Sequence, residues 1–156
     1  TTIFMSLHLK ILQEKLGIFI PDDKITNIVE LGGGYGNLAR LIRNFGYDGK
    51  YTIIDFPLIS KIQKDYLSRN NINDVIFSEL NKASLTPQNN DVSILIGTYS
   101  ISEMPMAERS YLELYYKYYS YIFIAHNDSF DGIDNLSYFK PISFFSVFLL
   151  FLFLKQ

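Results

Sequence analysis

The sequence predicts an α/β fold: a mostly parallel sheet with helices on both faces. Short apolar runs typical of buried strands alternate along the chain with segments of helical spacing. Glycine-rich and polar turns separate these segments. The chain has 156 residues, 48% of them hydrophobic, which is enough for one domain with its own core.

The predicted elements follow one another regularly. The first is a helix over residues 4–17, closed by Gly17 and followed by a turn that contains Pro21. Strands are predicted over residues 27–31, 51–55, 75–80, 91–97 and 121–125, and further helices over 36–45, 58–69 and 105–118. Strands joined by helices indicate βαβ units and hence parallel pairing.

The helix over residues 105–118 is rich in tyrosine. Tyr111, Tyr115 and Tyr118 share one helical face, which we expect to pack on the sheet as core.

The C-terminal run 142–154 is apolar and uncharged. As a helix it would be about 20 Å long, short of the ~30 Å hydrocarbon core of a bilayer. A membrane span is therefore disfavoured. Two readings stay open: a buried last strand or helix, and a truncated end without a natural partner surface.

Composition excludes several classes of function. A formal net charge of -2 offers no basic field for nucleic acid. The absence of cysteine excludes disulfides and thiolate catalysis, and with only His8 and His126 a multi-histidine metal site cannot form, so we expect no metal. The opening residues do not resemble a signal peptide, and we expect a cytoplasmic protein.

The segment Glu30–Gly36, ELGGGYG, lies between a predicted strand and a predicted helix. Glycine there lets the backbone approach a ligand closely. The third glycine of the G-x-G-x-G pattern comes one residue earlier than in a dinucleotide fingerprint, and Asn37 follows it. The carboxylate of Glu30 would repel a pyrophosphate but suits a cationic ligand, so S-adenosylmethionine is favoured over NAD.

Asp55 ends the second predicted strand, nineteen residues after Gly36. An acid at this position is placed to accept the ribose hydroxyls of a nucleoside. The alternative is a helix-capping or turn aspartate before Phe56 and Pro57.

These segments, ELGGGYGNLARL, YTIIDFP and DVSILIGTYSISEMP, resemble the class I S-adenosylmethionine-dependent methyltransferases, and most closely the sugar O-methyltransferases. The resemblance covers residues 25–126 and implies a Rossmann-like sheet of order 3-2-1-4-5-7-6 with strand 7 antiparallel. Only five strands are legible, so the sheet is expected to be incomplete at its C-terminus. The implied division is an N-terminal helix and linker (1–24), a cofactor-binding domain (25–137) and the apolar tail (138–156).

The resemblance also implies roles for individual residues. The cofactor's methionine moiety would be faced by Glu30, Gly32, Gly33, Gly34 and Gly36. Asp55 would bind the ribose and Phe56 the edge of the adenosine. Glu79 would lie near the adenine or be a solvated strand-end carboxylate. Thr98, with the two residues after it, would lie where methyl donor and acceptor meet.

Two side chains are candidate catalytic bases for removing the proton of an acceptor hydroxyl. Glu103 follows the fourth strand, where it is alternatively a carboxylate at a helix N-terminus capped by Ser102. His126 follows the fifth strand, where it is alternatively a loop-capping histidine. Asp128 and Asp131 are interpreted as solvated acids rather than metal ligands.

The sequence thus predicts a methyltransferase that methylates a hydroxyl group of a small-molecule or saccharide acceptor. The first alternative is a non-catalytic or truncated fragment that binds S-adenosylmethionine, because the C-terminus departs from the family pattern. The second is an NAD-dependent oxidoreductase. The oligomeric state stays open.

Overall fold

A six-stranded parallel sheet forms the centre of the protein. The computed structural model describes residues 2–16, 24–83, 85–88, 91–141 and 149–153. The strands are β1 (Asn27–Leu31), β2 (Lys50–Ile54), β3 (Ile76–Ser78), β4 (Ser93–Thr98), β5 (Tyr121–His126), β6 (Ser129–Phe130), β7 (Ile133–Asp134) and β8 (Leu149–Phe153). The sheet order is β3-β2-β1-β4-β5-β8, while β6 and β7 form a separate antiparallel hairpin.

The order of the first five strands confirms the predicted fold class. The chain moves outward from β1 to β3, then returns to place β4 on the other side of β1. This reversal is a topological switch point, and ligands of open α/β sheets bind in the crevice at the carboxyl ends of the strands on either side of it. Every residue of β1 and β4 is buried, as expected for central strands covered on both faces.

Within the described residues, five α-helices cover the two faces of the sheet: α1 (Thr2–Leu16), α2 (Asn37–Asn44), α3 (Pro57–Arg69), α4 (Met106–Tyr116) and α5 (Asn135–Phe139). Core residues of α1, α2 and α3 form one apolar cluster with Ile28, Ile53 and Ile96 of the strands. Core residues of α4 and α5 form a second cluster, with Val29 and Ile124. Because side chains alternate along a strand, the two clusters lie on opposite faces of the sheet.

The prediction for the tyrosine face of α4 is wrong for Tyr111 and Tyr118, whereas Tyr115 is partly buried and packs against the second cluster. Leu112 and Tyr116 point into the core, while Tyr111 and Tyr118 are 39% and 47% exposed. One face of the helix is buried and carries Arg109, Leu112 and Tyr116. Because the side chain of Arg109 is fully buried, this face and not the tyrosine face packs on the sheet. Tyr111 and Tyr115 instead pack on each other, with ring centroids 5.2 Å apart.

The strand formed by the C-terminal run has the opposite direction to the one that the family resemblance implies. Residues 149–153 form β8, which pairs with β5 in parallel, where the resemblance implies an antiparallel strand. The first and last residues of the run, 142–148 and 154, lie outside the described residues, as do Gly17 and the turn after it. Among the helices that the structure describes, none combines the length and the apolar character needed to cross a membrane.

Candidate functional site

The glycine loop of residues 32–36 connects β1 to α2 at the carboxyl edge of the sheet. The backbone N–H of Gly32 donates to the carbonyl of Ile54 at 2.9 Å, which ties the start of the loop to β2. The N–H of Gly36 donates to the carbonyl of Gly33 at 2.8 Å, and Gly36 is the N-cap of α2. The loop therefore turns tightly beside the switch point.

The glycines of this loop serve different purposes. A Cβ atom on Gly32 would lie 2.3 Å from Cβ of Ser100, and one on Gly33 would lie 2.9 Å from Cγ2 of Ile53. These two glycines are needed for packing within the protein. Gly34 has a φ of +56°, and none of the described residues lies within 4 Å of the position that its Cβ would take. Gly34 is therefore the loop residue of these three that is open to a ligand.

A cavity of about 110 Å³ lies beside the loop. It is lined by Met5, Gly32, Gly33, Gly34, Tyr35, Asn37, Leu38 and Thr98. Sites for drug-sized ligands usually measure about 300 Å³ or more. The cavity is therefore large enough for one end of a nucleoside ligand, and the remainder would lie along the open rim that carries Asp55 and Phe56.

Asp55 is held by two hydrogen bonds. Its Oδ1 accepts from the backbone N–H of Phe56 and its Oδ2 from Nε2 of Gln63, each at 2.8 Å. The N-cap of α3 is Phe56 and not Asp55. Phe56, the next residue, is 74% exposed, so its ring lies at the protein surface.

Glu30 lies beneath the loop rather than on the cavity wall. The hydroxyl of Tyr51 donates to its Oε2 at 2.8 Å, and the residue is 1% exposed. Burial raises the pKa of Glu30 to about 7, the hydrogen bond from Tyr51 opposes this rise, and the charge of Asp55 adds to it. Direct contact with a methionine moiety, as expected from the sequence, is not available to this carboxyl group in the present conformation.

The segment after β4 is tightly constrained. Thr98 lines the cavity. Tyr99 has a φ of +70°, uncommon for a residue with a side chain. The hydroxyl of Ser100 donates to the carbonyl of Leu31, and the N–H of Tyr99 donates to the carbonyl of Ala125 at 2.7 Å. The segment is thereby fixed between β1 and β5.

The two candidate bases lie near each other but away from the cavity. Asn127 connects them: its Nδ2 donates to Oε1 of Glu103 at 3.1 Å, and its carbonyl lies 3.0 Å from Nδ1 of His126. His126 is 1% exposed and packs on the ring of Phe139 in α5, with centroids 4.9 Å apart. It belongs to the sheet face covered by α4 and α5, and the structure does not bring it to the glycine loop.

Two other predicted positions have local partners. Glu79 follows β3, is partly exposed and forms an ion pair with Lys82. Ser102 does not cap a helix; its hydroxyl donates to the carbonyl of Tyr99 at 2.6 Å. Over the part of the chain that the structure describes, no group of three or more acidic or histidine side chains is arranged to hold a metal ion.

Sequence reasoning missed two polar side chains beside the site. Gln63 is fully buried on the sheet-facing stripe of α3, which it shares with Ser60 and Leu67. A polar residue on an otherwise core-facing stripe is a signal that could have identified it. His8 of α1 is 1% exposed and contacts the rings of Tyr99 and Phe123, with centroids 5.9 Å away in both cases. Nothing in the sequence pairs a histidine of the first helix with the segment after β4.

Comparison with solved structures shows a Rossmann-like fold. A protein from Galdieria sulphuraria assigned as a sarcosine dimethylglycine methyltransferase matches with a TM-score of 0.57 and 16% identity, over 90% of this chain and 52% of that one. An assigned S-adenosyl-L-methionine-dependent methyltransferase from Methanococcus maripaludis matches with a TM-score of 0.56 and 15% identity, over 78% of this chain and 57% of that one. The chain thus spans just over half the length of each of these proteins. Neither protein-family models nor curated protein sequences gave a match.

Proposed function

We propose that the protein binds S-adenosylmethionine at the glycine loop and transfers its methyl group to a small molecule. The observation that carries this proposal is the pairing of an open Gly34 with a fixed Asp55 carboxylate at the switch point of a methyltransferase-like sheet. The amino-acid end of the cofactor would enter the cavity, and the ribose hydroxyls would bind to Asp55.

Charge favours this ligand over NAD. The residues that line the cavity carry no positive side chain to neutralise a pyrophosphate, and the carboxylate of Asp55 lies close by. A sulfonium and an α-amino group are cations, for which such surroundings are favourable. The cofactor would supply an electrophilic methyl group, and the protein would hold it in line with the acceptor.

Calorimetric titration with S-adenosylmethionine, S-adenosylhomocysteine and NAD⁺ tests the cofactor. We expect the first two to bind and NAD⁺ to bind at least about tenfold more weakly, a difference of 1.4 kcal/mol or more. Asp55→Asn should lower the affinity for S-adenosylhomocysteine. Asp65→Asn, on the exposed side of α3, should leave that affinity unchanged. A folded sample that binds neither sulfur nucleoside would overturn the proposal.

For the acceptor we propose a hydroxyl group of a sugar or another small molecule. The support is the sequence segments DFP and SISEMP, which resemble those of sugar O-methyltransferases. Because the Galdieria protein is named for amine substrates, the assay panel should contain sarcosine and dimethylglycine beside free sugars and sugar nucleotides. Methyl transfer to the amines alone would overturn the hydroxyl assignment.

For the proton acceptor we propose Glu103, which follows β4 and is exposed. His126, the buried last residue of the adjacent strand β5, would assist only through Asn127, which contacts both side chains. Glu103→Gln and His126→Asn should lower kcat by about a hundredfold or more. The affinity for S-adenosylhomocysteine should stay unchanged. Full activity in both variants would exclude the pair.

A second candidate function is cofactor binding without turnover. It is favoured by the fact that neither candidate base lines the cavity beside the glycine loop. Binding of S-adenosylhomocysteine with no methyl transfer across the whole panel would support it. Turnover on any acceptor would exclude it.

A further inference from the structure

Gln63 connects the two parts of the proposed cofactor site. Its Nε2 donates to the carbonyl of Gly34 at 3.0 Å and to Oδ2 of Asp55 at 2.8 Å. A side-chain amide nitrogen carries two hydrogens, so both bonds can form at the same time. One side chain of α3 therefore fixes the open residue of the glycine loop relative to the carboxylate at the end of β2.

The carboxylate that Gln63 holds keeps its capacity to accept further bonds. Oδ1 of Asp55 accepts one bond from Phe56 and Oδ2 accepts one from Gln63. A carboxylate has about four lone-pair sites, so each oxygen retains about one. Two adjacent hydroxyl groups could then each donate to a different oxygen of a carboxylate that no longer rotates.

Gln63 also carries a cost that folding alone does not explain. Its Oε1 is buried and has no hydrogen-bond partner within the described part of the chain. A buried acceptor without a partner lowers stability, and an apolar side chain of similar size would avoid that loss. The neighbouring Leu67, one helical turn along the same stripe, is the residue type expected for a purely structural position.

We propose that Gln63 is a positioning residue for ribose recognition: it orients Asp55 toward the two ribose hydroxyls and holds that carboxylate in register with Gly34. This inference rests on the proposed binding of S-adenosylmethionine. Gln63 does not touch the reacting atoms; it acts through Asp55.

The test compares two ligands in two proteins. Gln63→Met keeps the length of the side chain and removes both hydrogen bonds. Titration should show that this variant binds S-adenosylhomocysteine at least about tenfold more weakly than the unaltered protein, as expected when a hydrogen bond to a charged group is lost. The 2′,3′-dideoxy analogue of S-adenosylhomocysteine, which lacks both hydroxyls, should lose clearly less affinity than S-adenosylhomocysteine, because only the bond from Gln63 to Gly34 still affects its binding. A purely structural role would weaken both ligands alike and would overturn the proposal.

Further variants make the result unambiguous. Gln63→Glu keeps the shape but places a second carboxylate beside Asp55, so it should lose S-adenosylhomocysteine affinity in the same ligand-selective way. Gln88→Met makes the matched change at an exposed residue before β4 and should change neither affinity. Unchanged S-adenosylhomocysteine binding in both Gln63 variants would overturn the positioning role and leave the proposed function intact. An unaltered protein that is folded and binds neither ligand would overturn both.

Discussion

Glu30 makes the stability of the protein depend on pH in a direction that can be calculated. Its carboxyl group is 1% exposed, and burial raises its pKa from 4.5 to about 7. Between these two values the folded state holds a proton that the unfolded chain releases, so the free energy of unfolding falls as the pH rises. At about 1.4 kcal/mol for each interval of one in pKa, a rise of about 2.5 corresponds to a full loss of about 3.5 kcal/mol, most of which falls between pH 5 and pH 8.

Glu30→Gln should remove this loss, because an amide stays neutral and its oxygen still accepts a hydrogen bond from Tyr51. We expect the stability of the variant, relative to the unaltered protein, to rise by about 3 kcal/mol between pH 5 and pH 8. Urea denaturation at pH 5, 6, 7 and 8 measures this difference, in which the contributions of all other groups cancel.

Two companion variants sharpen the measurement. Glu108→Gln makes the same chemical change at an exposed position in the first turn of α4 and serves as the matched control. Tyr51→Phe removes the hydrogen bond that lowers the pKa of Glu30 and should move the loss of stability to higher pH. A pH-independent difference for Glu30→Gln would refute the reasoning, since it would mean that the carboxyl group ionises as it does in water.

The remaining predictions concern the glycine loop and two buried basic residues. Gly34→Ala should lower stability by only about 1–2 kcal/mol, because alanine tolerates the left-handed backbone of this position less well than glycine. The same change should lower the affinity for S-adenosylhomocysteine at least about tenfold. Unchanged binding in a titration would contradict the proposed cofactor site. Gly32→Ala should lower the free energy of unfolding by more than about 2 kcal/mol, because its Cβ would collide with Ser100; urea denaturation close to that of the unaltered protein would contradict this. Burial lowers the pKa of His8, so the stability of the protein should fall as the pH drops through 6.5. His8→Phe should remove the share of this fall that comes from His8, as measured in acid titrations. A fall of the same size in both proteins would exclude the effect. Arg109 donates to two backbone carbonyls and to the side chain of Asn135. Arg109→Met should therefore lower the free energy of unfolding, measured by thermal denaturation, by about 3 kcal/mol or more. A loss below about 1 kcal/mol would show that these bonds are dispensable.

The strands were the most predictable part of the fold. β1, β4 and β5 are central strands buried on both faces, so their sequences are mostly apolar and too short for typical helices. The hairpin of β6 and β7 was not predicted, because its two-residue strands have no periodicity to detect. The inward face of α4 was misjudged because tyrosine packs equally well in a core and on a surface, and the buried Arg109 decided between the two.

Within the site, the positions of glycines and acids were predictable, but their partners were not. Gly34 and Asp55 occupy the loop and the strand tip that the sequence indicated. Gln63 and His8 come from helices whose approach to the sheet depends on packing between distant segments, which local spacing does not encode. For the same reason Glu30, expected at the ligand surface, was found beneath the loop with Tyr51.

Tyr99 holds an unfavourable backbone conformation at the carboxyl end of β4. A glycine would relieve about 1–2 kcal/mol of strain there, and it would also delete the ring that lies against His8. The backbone strain is therefore offset by what the ring contributes, which is packing on His8 and a surface for a ligand next to Thr98. In a library randomised at this position, variants chosen only for solubility should drift toward glycine and asparagine, and variants chosen for ligand capture should remain aromatic.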